Sequence, residues 1–157
     1  MKFTDFVGRE AVRAGLSASD KEGVVRELVQ ALFDAGIIVD GELESVVKAV
    51  LKREELGSTG IGRGVAVPHT KHPGAKRLVA TVGVSIAGVD FQSLDGEKVQ
   101  LFFLLISPPD RPGDHLRALE NISRQLRNDT FCKFLKNAQT ADEILQLLDE
   151  ADNNQFG

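Results

Sequence analysis

Lys98-Val99-Gln100-Leu101-Phe102-Phe103-Leu104-Leu105-Ile106 is the stretch on which the fold turns. A strand with one solvent-facing side alternates apolar and polar residues, whereas a strand covered on both faces is apolar throughout. Leu101 to Ile106 contains no polar position, so Lys98–Ile106 is predicted to be a central strand buried on both faces. The run is far too short for a membrane-spanning helix, which needs about 20 apolar residues. Pro108-Pro109-Asp110-Arg111-Pro112-Gly113-Asp114 ends it abruptly.

Working outward, Leu78–Ile86 is rich in valine and reads as a partner strand. Val89 and Phe91 alternate with polar residues, and Asp95-Gly96 marks a tight turn before the central strand. Val65–Val67 forms a further short strand, followed by a polar turn from Thr70 to Lys76. Upstream, Ser19 and Glu22 form a capping box. It opens a helix whose Val24, Val25, Leu28, Val29, Leu32 and Phe33 fall at helical spacing, with Gly36 as its stop. Asp40 is the expected cap of a second helix carrying Leu43, Val46, Val47, Val50 and Leu51, which runs out near Arg53-Glu54-Glu55. Val12 to Leu16 alternates weakly and reads as a short strand.

Downstream, a helix is expected from Asp114 or His115, with Leu116, Leu119, Ile122 and Leu126 as its stripe. Asp129 opens a short helix through Phe131 and Leu135. Thr140 and Glu143 cap a last one bearing Ile144, Leu145, Leu147 and Leu148, and the polar tail 152–157 is expected to fray. Helices must cover both faces of the sheet, so the fold class is α/β, a three-layer α/β/α sandwich, one domain over residues 1–157.

A chain of 157 residues buries roughly 68–70% of its unfolded surface on folding, enough for a core without disulfide or metal. Lys and Arg number 19 against 23 Asp and Glu, with no basic cluster, which argues against a nucleic-acid partner. The single Cys132 lies between Phe131 and Phe134 and reads as a small buried hydrophobe. The N-terminus has no secretory apolar region, so the expected location is cytoplasmic, without membrane insertion.

The chemistry concentrates in two segments. All five prolines lie in 68–73 and 108–112, and His69, His72 and His115 lie in or just after them. Each segment follows a strand, where open α/β sheets bind ligands. Gly57-Ser58-Thr59-Gly60-Ile61-Gly62-Arg63-Gly64-Val65-Ala66-Val67-Pro68-His69 runs from a helix into a strand, then fixes the backbone with proline before one imidazole. It is not a dinucleotide fingerprint, which must leave a strand and open a helix, and the Gly-Lys-Ser/Thr ending of a nucleotide phosphate loop is absent.

His115, in the first turn of its helix, meets a positive dipole end that disfavours imidazolium and favours phosphate. Arg53 has two readings, a surface arginine at a helix C-terminus or a guanidinium reaching a phosphoryl oxygen. His69 and His72 make an H-x-x-H pair, but flanking Pro68 and Pro73 argue against the helix that spacing needs for metal. A metallohydrolase using His69, His72 and His115 is the minor alternative.

The Arg53–His69 string, with Lys21-Glu22-Gly23-Val24-Val25-Arg26-Glu27-Leu28 and Asp114-His115-Leu116-Arg117-Ala118-Leu119, resembles the IIA component of the bacterial phosphoenolpyruvate-dependent phosphotransferase system. The likeness is to its fructose/mannitol/nitrogen-regulatory class. The resemblance implies a central mixed β-sheet between helical layers. It also implies a histidine, here His69, that takes a phosphoryl group from the histidine-containing phosphocarrier protein, supported by His115 and Arg53. Thr59, Gly60, Gly62 and Gly64 are then the expected phosphate-binding residues, with no metal or organic cofactor. The phosphoryl group would pass to a sugar-permease IIB component, or its charge would act as a regulatory signal to protein targets. Thr70-Lys71-His72-Pro73 departs from the glycine or alanine frequent after the family's acceptor.

Overall fold

The computed structural model describes residues 1–156. Along the chain run α1 (Phe3–Phe6), a 3-10 turn (Arg9–Ala11), α2 (Lys21–Asp34) and α3 (Leu43–Glu55). Five strands follow: β1 (Gly60–Gly62), β2 (Val65–Ala66), β3 (His69–Lys71), β4 (Val79–Val89) and β5 (Val99–Ser107). Three helices close the chain, α4 (Pro112–Gln125), α5 (Asp129–Lys136) and α6 (Ala141–Asp152).

The central position expected for Lys98–Ile106 is occupied by β5. One edge pairs antiparallel with β4; the other pairs parallel with β2 at Leu101 and Phe102 and with β3 at Leu105 to Ser107. β1 pairs antiparallel with β2, so the sheet is mixed. Alternate β5 side chains enter two cores. Leu101, Phe103 and Leu105 pack with Ile122, Phe131 and Leu148 from α4, α5 and α6. Phe102, Leu104 and Ile106 pack with Val24, Leu28, Val46 and Val50 from α2 and α3. The arrangement is the three-layer α/β/α sandwich.

Several local expectations are corrected. The 70–76 segment is not all turn: Pro68 lacks an N–H and interrupts the edge ladder, and the chain then rejoins β5 as β3, His69 opposite Leu105. Val12–Leu16 is no strand but makes a single bridge, Arg13 to Gly83. α1 and the 3-10 turn, too short for a periodic signal, went unread. Asp20 rather than Ser19 caps α2, accepting from Gly23 N at 2.7 Å. Asp40 lies in the turn before α3, whose N-cap is Glu42. α4 starts at Pro112, earlier than Asp114, because a proline at the first helical position forfeits no hydrogen bond.

The tail is also better anchored than its polarity suggests. The Asp152 carboxylate accepts from Phe3 N at 2.7 Å and Thr4 N at 3.0 Å, tying α6 to α1, and Phe156 packs on Phe131 with ring centroids 5.3 Å apart. Gly157 lies outside the described residues. Asp152→Ala removes both acceptors from the α1 amides, and urea denaturation is expected to show a loss of about 1–2 kcal/mol, the scale of a lost N-cap.

Candidate functional site

Pro68 and the β2–β3 break set the direction of His69. Its ring is half-buried, and Nδ1 lies 2.8 Å from the Val67 carbonyl. A carbonyl only accepts, so Nδ1 carries the proton and, in the neutral ring, Nε2 keeps its lone pair. Burial lowers the pKa of His69 below the ordinary histidine value. The Val67 hydrogen bond opposes that shift, the Arg53 charge adds to it, and Glu54 opposes it.

His115 stands in the first turn of α4, its ring centroid 5.7 Å from that of His69 with the planes at 56°. Its own N–H is already paired, to the Arg111 carbonyl at 3.1 Å. It is only 4% exposed, and Ser107 Oγ lies 2.6 Å from its Nδ1. Burial first, then the charge that His69 would carry when protonated and that of Lys71, push its pKa down to about 4. Both imidazoles are therefore neutral at physiological pH, one able to attack and the other to donate.

Arg53, in the last turn of α3, donates from Nη1 to the Gly57 carbonyl at 2.9 Å. That bond fixes the start of the loop to β1, and the guanidinium stays close enough for its charge to act on His69. The two imidazoles are thus adjacent, with Arg53 within electrostatic reach of His69.

The glycine loop is placed differently from expectation. Thr59 gives both its N–H and its hydroxyl to the Glu54 carboxylate, and Gly60 N–H is held by Ser58 Oγ at 3.0 Å. Arg63 and Gly64, at φ +59° and +77°, make the hairpin turn between β1 and β2, entered through Gly62 at φ +92°. Val65 pairs with Leu101 and His69 with Leu105, four residues apart along β5, or about 13 Å at strand rise. The far end of the hairpin therefore does not reach His69. Its neighbours there are Asp95 and Lys136.

His72 is absorbed by structure. Its Nδ1 accepts the Gly74 N–H at 2.8 Å, and Nε2–H then donates to Ser45 Oγ at 2.7 Å. With both nitrogens engaged it has no lone pair for a metal. Among the described residues no three His, Cys, Asp or Glu side chains are grouped to hold one, so the three-histidine site of the metallohydrolase alternative is not formed. Cys132 is buried, as expected.

Sequence reading missed Ser107 and Glu54. Ser107 follows the apolar β5 run and gave no signal. Glu54 did: Val46, Val50 and Glu54 lie four residues apart, so the carboxylate continues the buried stripe of α3, and it is 5% exposed.

Residues 5–151 match the family model for the phosphoenolpyruvate-dependent sugar phosphotransferase system, EIIA 2. The chain is 35% identical over 149 residues to a nitrogen regulatory protein of Bradyrhizobium diazoefficiens, covering 94% of this chain and 95% of that one. It is 32% identical over 152 residues to the fructose-specific EIIABC component of Bacillus subtilis, covering 97% of this chain but 24% of that protein. The crystal structure of the nitrogen regulatory protein IIA-Ntr from Neisseria meningitidis superposes with a TM-score of 0.80 at 25% identity, over 92% of this chain and 97% of that one. The fold and the sequence together define a phosphotransferase-system IIA domain. The chain belongs to the EIIA type 2 family. No helix of the described residues is long and apolar enough to cross a membrane.

The depressed histidine sets a stability test. His115 titrates at about 4 when folded against about 6.5 unfolded, so the unfolded state binds more protons between these values. Stability therefore rises with pH across that window and falls on acidification, by about 3 kcal/mol at its lower end. Replacing the ring by His115→Gln should flatten the dependence of chemical-denaturation stability between pH 6.5 and 4. An equally steep profile in the variant would assign the acid loss elsewhere.

Proposed function

We propose that His69 Nε2 accepts a phosphoryl group from the phosphohistidine of the histidine-containing phosphocarrier protein and holds it as a transferable phosphohistidine. What supports this most is one contact. The Val67 carbonyl fixes the proton on Nδ1 and so leaves Nε2 as the nucleophile on a half-exposed ring. The Nε2 lone pair attacks phosphorus in line, the carrier's P–N bond breaks, and its electron pair returns to the carrier's imidazole. Positive charge that develops on the His69 ring is met by the Val67 carbonyl. Negative charge spreads over the three phosphoryl oxygens, so fixed donors do most of the work.

Two donors serve those oxygens. Ser107 O–H donates to His115 Nδ1, which leaves His115 Nε2–H to point at the phosphoryl group. Arg53 brings a permanent charge. No metal enters the step.

For the onward step, the phosphoryl group passes to a sugar-permease IIB component in the sugar-transport reading. In the regulatory reading, the added charge on His69 alters binding to protein targets. Similarity across nearly the full length of a nitrogen regulatory protein is what keeps the second reading beside the first.

Incubation with phosphoenolpyruvate, the first enzyme of the system and its phosphocarrier is expected to give an acid-labile phosphoryl group on the wild type and none on His69→Ala. Labelling that survives in His69→Ala would overturn the acceptor assignment. His115→Ala should slow the exchange by about 10²-fold, the scale of one lost charge-stabilising donor, with the fold retained on circular dichroism. The rate should be flat near neutral pH and fall on acidification as His69 takes up a proton on Nε2. Label passing to a sugar-specific IIB component would favour transport, and retention without transfer would favour regulation.

A further inference from the structure

Glu54 is the strongest buried charge in the molecule that the transfer step leaves unused. Its side chain is 2% exposed and pairs with Lys21 Nζ at 3.1 Å, joining the first turn of α2 to the last turn of α3. Lys21 itself is largely covered and lies over the Phe91 ring at 4.6 Å. A buried carboxylate must have its lone pairs satisfied, and the remaining ones take the Thr59 N–H and hydroxyl.

Those bonds continue toward the reacting ring. The Thr59 carbonyl accepts the Val67 N–H at 3.1 Å, and the Val67 carbonyl accepts Nδ1–H of His69 at 2.8 Å. The path thus runs Lys21, Glu54, Thr59, Val67, His69, every link a charge pair or hydrogen bond. None of it before Val67 takes part in the transfer step. The β1–β2 hairpin would otherwise hang from α3 on the exposed residues 55–57. Ser93 packs against Gly60 so closely that a Cβ there would lie 2.1 Å from its Oγ, which closes the hairpin on its other side.

We infer that Glu54, held by Lys21, is a positioning residue that acts through Thr59 and the Val67 carbonyl to keep His69 in its Nδ1–H tautomer. This rests on His69 being the phosphoryl acceptor. The carboxylate fixes where the Val67 carbonyl points, and that carbonyl decides which imidazole nitrogen keeps the proton. Its negative charge also favours protonation of His69, opposing the larger lowering that burial imposes on that ring. Removing the charge and loosening the carbonyl therefore move the His69 titration the same way, downward.

The test is nitrogen-15 NMR of the imidazoles in the unphosphorylated protein, alongside the rate of phosphoryl uptake from the phosphocarrier. In the wild type, His69 is expected as the Nδ1–H tautomer. In Glu54→Gln the Nδ1–H population and the His69 titration midpoint should both fall. Uptake should slow by about 10- to 100-fold, the effect of residues placed behind a reacting histidine, with KM for the carrier unchanged. Thr59 supplies a second pair of variants. Thr59→Val keeps the volume and loses the hydroxyl, whereas Thr59→Ser keeps the hydroxyl and loses a methyl group. The relay requires Ser to lose less than Val in tautomer population and rate, while a packing role requires the reverse.

A folded Glu54→Gln with wild-type tautomer, titration and rate would overturn the relay. So would Val outperforming Ser, which remains readable if Glu54→Gln does not fold. Because the tautomer is read without phosphorylation, a shifted tautomer with the label found away from His69 would sink the acceptor assignment alone.

Discussion

Every layer of this domain is arranged around a strand that can have no wet side. β5 is apolar from Leu101 to Ile106 and fully buried there, so a helical layer must close each face. Its edges are equally committed: β4 takes one, and β2 and β3 share the other. Two strands can share one edge only if something breaks them apart, and Pro68, lacking an N–H, does so. His69, the proposed acceptor, is the first residue past that break. Its placement is thus a by-product of how a doubly buried strand is paired, with the Pro68 carbonyl still accepting Leu105 N–H at 3.0 Å across the gap.

A site for an anionic group is usually thought of as positively charged, yet the two rings facing each other here are kept uncharged. Burial lowers both histidines, and a charge on His69 would lower the proton affinity of His115 further. The arrangement suits a nucleophile, because a protonated Nε2 could not attack. It also suits transient tenure, since a nearby pair of permanent cations would hold a dianion too well to release it. Arg53 supplies one permanent charge, tied at one nitrogen to the Gly57 carbonyl. The other proposed donor, His115, is dipolar and would hold a phosphoryl group only at short range.

The sequence made the layers legible because apolar periodicity is dictated by burial, and burial is what the layers are. His69, His115 and Arg53 were singled out by the resemblance to IIA domains instead, and the fold sets the two imidazoles side by side. What was not legible depends on competition between equivalent donors and acceptors. Ser19 and Asp20 are both good caps, and only geometry chose Asp20. The backbone N–H groups of Thr59 and Gly60 are indistinguishable in sequence from phosphate donors, but local oxygens from Glu54 and Ser58 had already taken them. β3 was missed because a three-residue strand begun by histidine has neither alternation nor β-branched density beyond Thr70.

Glu54 shows how such a blind spot can be narrowed. A carboxylate continuing an apolar stripe is either an error of helical phase or a buried charge that requires partners. Its neighbour Arg53 donates to the Gly57 carbonyl instead, so in the proposed mechanism two adjacent residues on one helical turn divide the labour. There Arg53 would meet the anion directly, while Glu54 would work through the interior on the backbone that carries His69. A helix end is well suited to both tasks, because residues 53 and 54 lie about 100° apart around its axis. The loop that leaves it is also the loop that must be held. His72 performs the matching service after β3, clamping Gly74 and Ser45 with an imidazole that has no nitrogen left for chemistry. Of three histidines gathered beside the proline-rich segments, one is therefore spent on pinning the turn after β3 to α3.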